Sequence, residues 1–214
     1  IYKNDMRILV TGSQGFIGKN LCLSLNEQDK FTVIFFGRQD SIQLLEDSIN
    51  ESDVIIHLAG ENRPSDESEF DNVNVGLTEN ICNILRSVDK KIPIIFSSSI
   101  QASLENPYGK SKYAAEKLLK NLSIENHNPI TIFRLPGVFG KWCKPNYNSV
   151  VATFCHNIAK NIEIKIDEPD KTIKLVYIDD VVKEIIKSLD IVDKGFSRKS
   201  VEPEYLISLG DLAN

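Results

Sequence analysis

Eight residues, Thr11-Gly12-Ser13-Gln14-Gly15-Phe16-Ile17-Gly18, join a short apolar run to an amphipathic one, and no other stretch constrains the fold as tightly. The run before them, Arg7-Ile-Leu-Val10, reads as a buried strand. After them Ile17, Leu21 and Leu25 recur on one face of a helix expected over 16–26. Glycine at 12 permits a tight turn, at 15 it lets the backbone approach a ligand, and at 18 it allows close helix–strand packing. A glycine triplet also occurs as a plain turn. Its position between the first strand and the first helix sets this one apart.

The alternation continues along the chain. Strands are expected over 32–36, 54–58, 92–96 and 130–134, and helices over 42–49, 73–87 and 108–122. Strands alternating with helices imply an α/β fold, a doubly wound parallel sheet with helices on both faces. From about Gly137 the regularity loosens, with a helix over 150–160, an extended piece over 174–178 and a helix over 181–189. Residues 6–140 are therefore expected to form the main domain. Residues 141–214, too few for an independent domain, would form a small, truncated region interleaved with it and capping the sheet's carboxyl edge. Residues 1–5 read as a leftover ahead of a start at Met6, and the end reads as cut short where Ser208 or Asp211 would cap a helix.

Among 214 residues the formal net charge is −5 and no basic cluster stands out, which argues against nucleic acid as a partner. A small nucleotide stays possible, because backbone amides and one or two cations can hold it. No stretch has the apolar length of a membrane span, and the start is not a signal peptide. Cys22, Cys82, Cys143 and Cys155 show no CxxC spacing, and His156 beside Cys155 points to a different helix face. No metal site is expected, and a cytoplasmic protein with reduced thiols is.

Four features then carry chemistry. The glycine turn would place a dinucleotide pyrophosphate on the first helix's N-terminus. The second strand ends Phe35-Phe36-Gly37-Arg38, with glycine where a carboxylate would bind the ribose 2′-hydroxyl of NAD. Arg38 could instead fork onto a 2′-phosphate, favouring NADP(H), although Asp40 nearby keeps NAD open and Arg38 also reads as a surface arginine. Tyr108-Gly-Lys-Ser-Lys112 puts two side chains four apart on one helical face, where the ammonium would lower the phenol's pKa. By itself the pair is also compatible with a plain exposed helix. Ser97-Ser-Ser99 closes the fourth strand just ahead of it; Ser99 could hydrogen-bond a substrate carbonyl, or the serines could satisfy strand-end backbone. In a reduction Tyr108 would protonate the carbonyl oxygen as hydride arrives.

These residues resemble the extended short-chain dehydrogenase/reductases, a Rossmann-type family acting mostly on nucleotide sugars, over nearly the whole chain. The resemblance implies that His57-Leu58-Ala59-Gly60 lines the cofactor with Gly12, Gln14, Gly15, Phe16, Ile17, Gly18, Arg38, Tyr108 and Lys112. It also implies that Asn74, in Asn74-Val-Gly-Leu-Thr78, supports the active site beside Ser99, Tyr108 and Lys112. Tyr177-Ile-Asp-Asp-Val181 is similar to an element that packs the substrate region. The family's RxxNVYG stretch appears as Arg134-Leu135-Pro136-Gly137-Val-Phe-Gly140, with Leu135 and Pro136 implied at the cofactor and glycine replacing the amide that contacts the sugar nucleotide. Within the family, His57-Leu-Ala-Gly-Glu-Asn-Arg63-Pro64 and Gly140-Lys-Trp-Cys-Lys144-Pro-Asn-Tyr-Asn148-Ser149 resemble the capsular-polysaccharide reductases of UDP-N-acetyl-L-fucosamine synthesis. That implies NADPH-dependent reduction of the C4 ketone of a UDP-linked 4-keto-6-deoxy amino sugar, a UDP-2-acetamido-2,6-dideoxy-4-hexulose. Arg63, Lys144 and Asn148 become candidates for the sugar nucleotide, Lys144 also reading as a loop lysine. Those reductases carry a C-terminal zinc-binding cupin domain, expected to be absent here, so reduction alone is implied. Family members pair through the YxxxK helix, so a homodimer is expected; Leu118, Leu119 and Leu122 suit such a face or a monomer core equally.

Two enzymatic alternatives remain, an NAD-dependent epimerase or a dehydratase. The first lacks its acid after strand two and the second its acidic residues between the serine and tyrosine motifs. A non-catalytic NADP-binding protein is the third alternative, disfavoured because Ser99, Tyr108 and Lys112 are all present.

Overall fold

The apolar run at the start becomes β1 (Met6–Thr11), from which a glycine turn leads into α1 (Phe16–Asn26). This is a computed structural model describing residues 5–62, 66, 70–147, 149–190 and 195–214. β2 (Phe31–Phe36), α2 (Ile42–Glu51) and β3 (Val54–His57) follow. A wide π-helical segment, Phe70–Gly76, runs into α3 (Leu77–Ser87), so the single helix expected over 73–87 is two different coils. β4 (Ile94–Ser99) carries all three serines in the strand, and a 3₁₀ turn follows at Ile100–Ser103. Asn106, whose side chain accepts from Gly109 N at 2.7 Å, and Pro107 in the first turn start α4 (Pro107–Asn126). β5 (Ile130–Leu135), β6 (Gly137–Phe139), α5 (Val150–Ala159), β7 (Thr172–Tyr177), α6 (Ile178–Asp190), β8 (Phe196–Lys199), β9 (Tyr205–Ser208) and α7 (Leu209–Ala213) complete the order.

β2-β1-β3-β4-β5-β8 form one six-stranded sheet, and all its pairings are parallel. Its central strands are apolar on both sides, as a sheet covered by helices on two faces requires. One face packs Val10 and Ile56 against Leu21 and Leu25 of α1 and Val181 and Ile185 of α6. The other packs Leu9, Ile55 and Phe96 against Leu45, Ile81, Leu85, Leu119 and Leu122 from α2, α3 and α4. Leu119 and Leu122 are fully buried there and Leu118 packs partly against them, so these leucines belong to the monomer's core.

The chain after Gly137 divides between two sheets. β8 joins the edge of the large sheet against β5, and β6, β7 and β9 make a small second sheet. β1 sits between β2 and β3, so the strand order reverses there. A crevice outside the carboxyl ends of strands is the expected consequence at such a point.

Candidate active site

A crevice of about 570 Å³ opens at that edge. The turn of residues 12–18 makes one wall. Gly12 has φ +70°, and a Cβ on it would stand 2.7 Å from Ala59 N. A Cβ on Gly18 would collide with the Gly12 carbonyl. α1 begins at Gly15 with no side chain capping its first amides, leaving them open to an anion at the positive end of the helix dipole. Gly12, Gly15, Phe16, Ile17, Gly18, Leu58, Gly60, Leu135 and Pro136 all line the crevice, and this backbone cradle fits a dinucleotide pyrophosphate.

The opposite wall carries Ser99, Tyr108 and Lys112. Three consecutive residues at the end of β4 each hold a different residue of α4. Ser99 hydrogen-bonds through its side chain to the Tyr108 phenol. Ser97 accepts from Lys112 Nζ through its carbonyl at 3.0 Å. Ser98 donates its hydroxyl to Glu116 Oε1 at 2.6 Å. The Tyr108 ring also packs against Phe70, with centroids 5.9 Å apart.

Burial dominates the electrostatics. It pushes the Tyr108 phenol up to about 12, with the Ser99 hydrogen bond opposing. The acidified phenol expected from the Tyr108–Lys112 spacing is thus corrected for the crevice as it stands, because the cost of burying a phenolate exceeds the stabilisation its neighbours offer. Burial also pushes the Lys112 ammonium down to about 8, with Glu116 opposing. At neutral pH the phenol is protonated and Lys112 is still mostly charged, the state a proton donor requires.

Asn74 and His57 support this wall from behind. Asn74 is buried; its Oδ1 accepts from Glu61 N at 2.8 Å, and its Nδ2 donates to the Ser111 hydroxyl at 2.9 Å. A Cβ at Gly60 would lie 2.9 Å from Lys112 Nζ and 3.1 Å from Asn74 Oδ1, so a side chain there would push on both. The Thr78 hydroxyl donates to the Asn74 carbonyl, so it accepts from His57 Nε2 at 3.0 Å, and His57 Nδ1 accepts from the Thr11 hydroxyl at 2.6 Å. Burial, with the Lys112 charge adding, holds His57 neutral with a pKa of about 3.

Not every expected residue lines the crevice. Gln14 is exposed near Gly37, and Ala59 packs behind Gly12 while its N donates to the Thr11 hydroxyl at 3.3 Å. Arg38 is exposed and its Nη1 stands 3.4 Å from Glu61 Oε2. Lys144 is an exposed loop residue outside the crevice wall; from the same loop Tyr147 enters instead, its hydroxyl donating to Glu61 Oε1 at 2.9 Å. Arg63 and Asn148 lie outside the described residues. At Gly137 a Cβ would meet Leu175 Cδ2 at 2.9 Å and the Lys174 carbonyl at 3.2 Å, so β7 would have to give for the family's amide to stand there. Sequence reasoning passed over Asn62, Gln101, Val138 and Tyr147 in the crevice and Glu116 beneath it. Only Glu116 had a local signal, its spacing of four after Lys112.

Residues 8–202 match the NAD dependent epimerase/dehydratase family. A UDP-2-acetamido-2,6-beta-L-arabino-hexul-4-ose reductase from Pseudomonas aeruginosa is 48% identical over 208 residues, covering 97% of this chain and 56% of that protein. The crystal structure of the capsular polysaccharide assembling protein CapF from Staphylococcus aureus superposes with a TM-score of 0.82 at 37% identity, over 97% of this chain and 56% of that one. The chain thus spans a little over half the length of these relatives. A UDP-glucuronic acid 4-epimerase from Bacillus cereus in complex with NAD shares the fold, with a TM-score of 0.85 at 20% identity over 95% of this chain and 81% of that one.

Proposed function

The chain belongs to the NAD dependent epimerase/dehydratase family, and on that premise we propose that it reduces the C4 ketone of a UDP-2-acetamido-2,6-dideoxy-4-hexulose with NADPH. The observation that carries this reading is the meeting of Ser99, Tyr108 and Lys112 on one wall of a crevice whose other wall is an open glycine cradle. The 48% identical relative, named as a reductase of a UDP-linked 4-ulose, supports the substrate class. A dinucleotide held by its pyrophosphate on the turn of residues 12–18 would supply the hydride from its nicotinamide. Ser99 orients the ketone oxygen, and the protonated Tyr108 donates its proton to that oxygen as negative charge develops. Lys112, on the same crevice wall, would stabilise the phenolate left behind through its positive charge. Asn74 fixes the Glu61 backbone and Ser111, and so the approach of the π-helical segment to α4.

Arg38 favours NADP(H), since it stands at the end of β2 where no carboxylate follows the strand directly and its guanidinium can take a 2′-phosphate. Residues 6–140 would hold the cofactor and 141–214 the sugar nucleotide, with Arg63, Lys144 and Asn148 toward the UDP group. A cytoplasmic homodimer completes the proposal. Among the described residues no helix is long and apolar enough to cross a membrane.

The test follows NADPH absorbance with the UDP-4-keto sugar, together with product analysis. Tyr108→Phe is expected to lose about 10²–10⁴-fold in kcat while still binding NADPH. Equal rates in the two proteins would remove the proton donor. A product with the ketone intact and C5 or C3 inverted would favour an epimerase.

A further inference from the structure

Tyr108, Lys112 and Glu116 form a stripe spaced by four residues along α4. The first two belong to the proposed chemistry. Glu116 does not line the crevice, yet it is 1% exposed and its carboxylate takes four hydrogen bonds from three strands. The Ser98 hydroxyl donates to Oε1 at 2.6 Å and Arg134 Nε to Oε1 at 2.8 Å. Arg134 Nη2 donates to Oε2 at 2.7 Å and Arg198 Nη2 to Oε2 at 3.2 Å. Burying a carboxylate costs several kcal/mol, and a carboxylate–guanidinium pair often stabilises a fold no better than apolar residues of the same shape. A buried charge so fully bonded, one helical turn from Lys112, has a different use.

We propose that Glu116 is a positioning residue for the reduction. It locks α4 to the ends of β4, β5 and β8, so that Ser97, Ser98 and Ser99 meet Lys112, Glu116 and Tyr108 in register. One helical turn away, its negative charge also faces the Lys112 ammonium. The kinetic part rests on the reductase reading; the effect on Lys112 does not. Lys112 is faced by Glu116 from its own helix, by neutral His57 from β3 and by the Ser97 carbonyl and Phe96 ring from β4. Arg134 of β5 and Arg198 of β8 pair with Glu116 Oε2 at 2.7 and 3.2 Å, positive charges that oppose its effect on Lys112. Burial works against the ammonium and Glu116 works for it.

The Lys112 side-chain carbon next to the amine can be followed against pH by NMR in lysine-labelled protein and assigned by its loss in Lys112→Met. Glu116→Gln is expected to lower the midpoint, near 8 in the unaltered protein, by about one pH unit. Arg134→Gln strips the counter-charge and is expected to raise it. These opposite signs keep the test alive if the Glu116 variant does not fold, which its melting curve would show. In turnover, Glu116→Gln should lower kcat about tenfold, leave KM within about twofold and move the alkaline limb of the rate toward neutral. Ser98→Ala keeps the carboxylate and should leave the Lys112 midpoint in place. An unmoved midpoint in both Glu116→Gln and Arg134→Gln overturns the proposal whether or not the protein turns over the sugar. Absence of turnover in the unaltered protein, with the midpoints moving as stated, would sink the reductase reading and leave the coupling intact.

Discussion

Lys112 should destabilise the fold it serves, and replacing it by methionine tests this directly. The residue is 4% exposed, and burial lowers its pKa from the ordinary 10.5 to about 8. At about 1.4 kcal/mol per pH unit, that gap means the folded protein bears roughly 3 kcal/mol for keeping the charge at neutral pH. Between the two values the unfolded chain holds the proton and the folded chain does not, so stability rises with pH through this window. The cost is fully present below about pH 8 and lifted above about pH 10.5. Methionine has similar length and no charge, but it forfeits the hydrogen bond to the Ser97 carbonyl, which returns about 1–2 kcal/mol. Lys112→Met is therefore expected to be more stable at pH 7 by about 1–2 kcal/mol, a rise of about 2–8 °C in Tm for a chain of this size. The advantage should fade as melts are repeated toward pH 10, while turnover is lost at every pH. A variant that melts below the unaltered protein, or an advantage of the same size at pH 7 and 10, refutes the argument.

Other outcomes follow from the same geometry. Gly18→Ala puts a methyl into the Gly12 carbonyl, so NADPH should bind at least about tenfold more weakly in a fluorescence titration; unchanged binding would mean the cradle is not the cofactor's seat. Arg38→Ser should raise KM for NADPH about tenfold and KM for NADH less than about twofold, and equal effects would remove Arg38 from the 2′-phosphate. His57 is neutral with a pKa of about 3 against an ordinary 6.5. The unfolded chain therefore binds its proton first as pH falls, and stability is lost from about pH 6.5 downward. Urea melts should show about 2 kcal/mol lost to this residue between pH 7 and 5, a loss that His57→Gln should abolish.

What could be read in advance was what adjacent residues decide together. The turn at 11–18, the buried run at 54–58 and the 108/112 spacing each need only a period and a few neighbours, and each lies within a residue of where it is expected. β8 and β9 are four residues each and escaped notice, since a short edge strand has too few positions to show a period. Tyr147 escaped for a different reason: its partner Glu61 is 86 positions away, and no local pattern announces such a pair. Spacing reports which charges are near and not how much water is gone, so burial raises the Tyr108 phenol where the spacing alone predicts a lowered one. Lys112 lies on the same helical face as the phenol, as read, but its ammonium is spent on Ser97 while the surrounding wall dries the ring. A helical stripe thus identifies the groups proposed to react, whereas their protonation states are set by strands and helices brought from elsewhere. The same reasoning explains why Glu116, four residues on, passes as an ordinary surface acid until β5 and β8 deliver Arg134 and Arg198 to it.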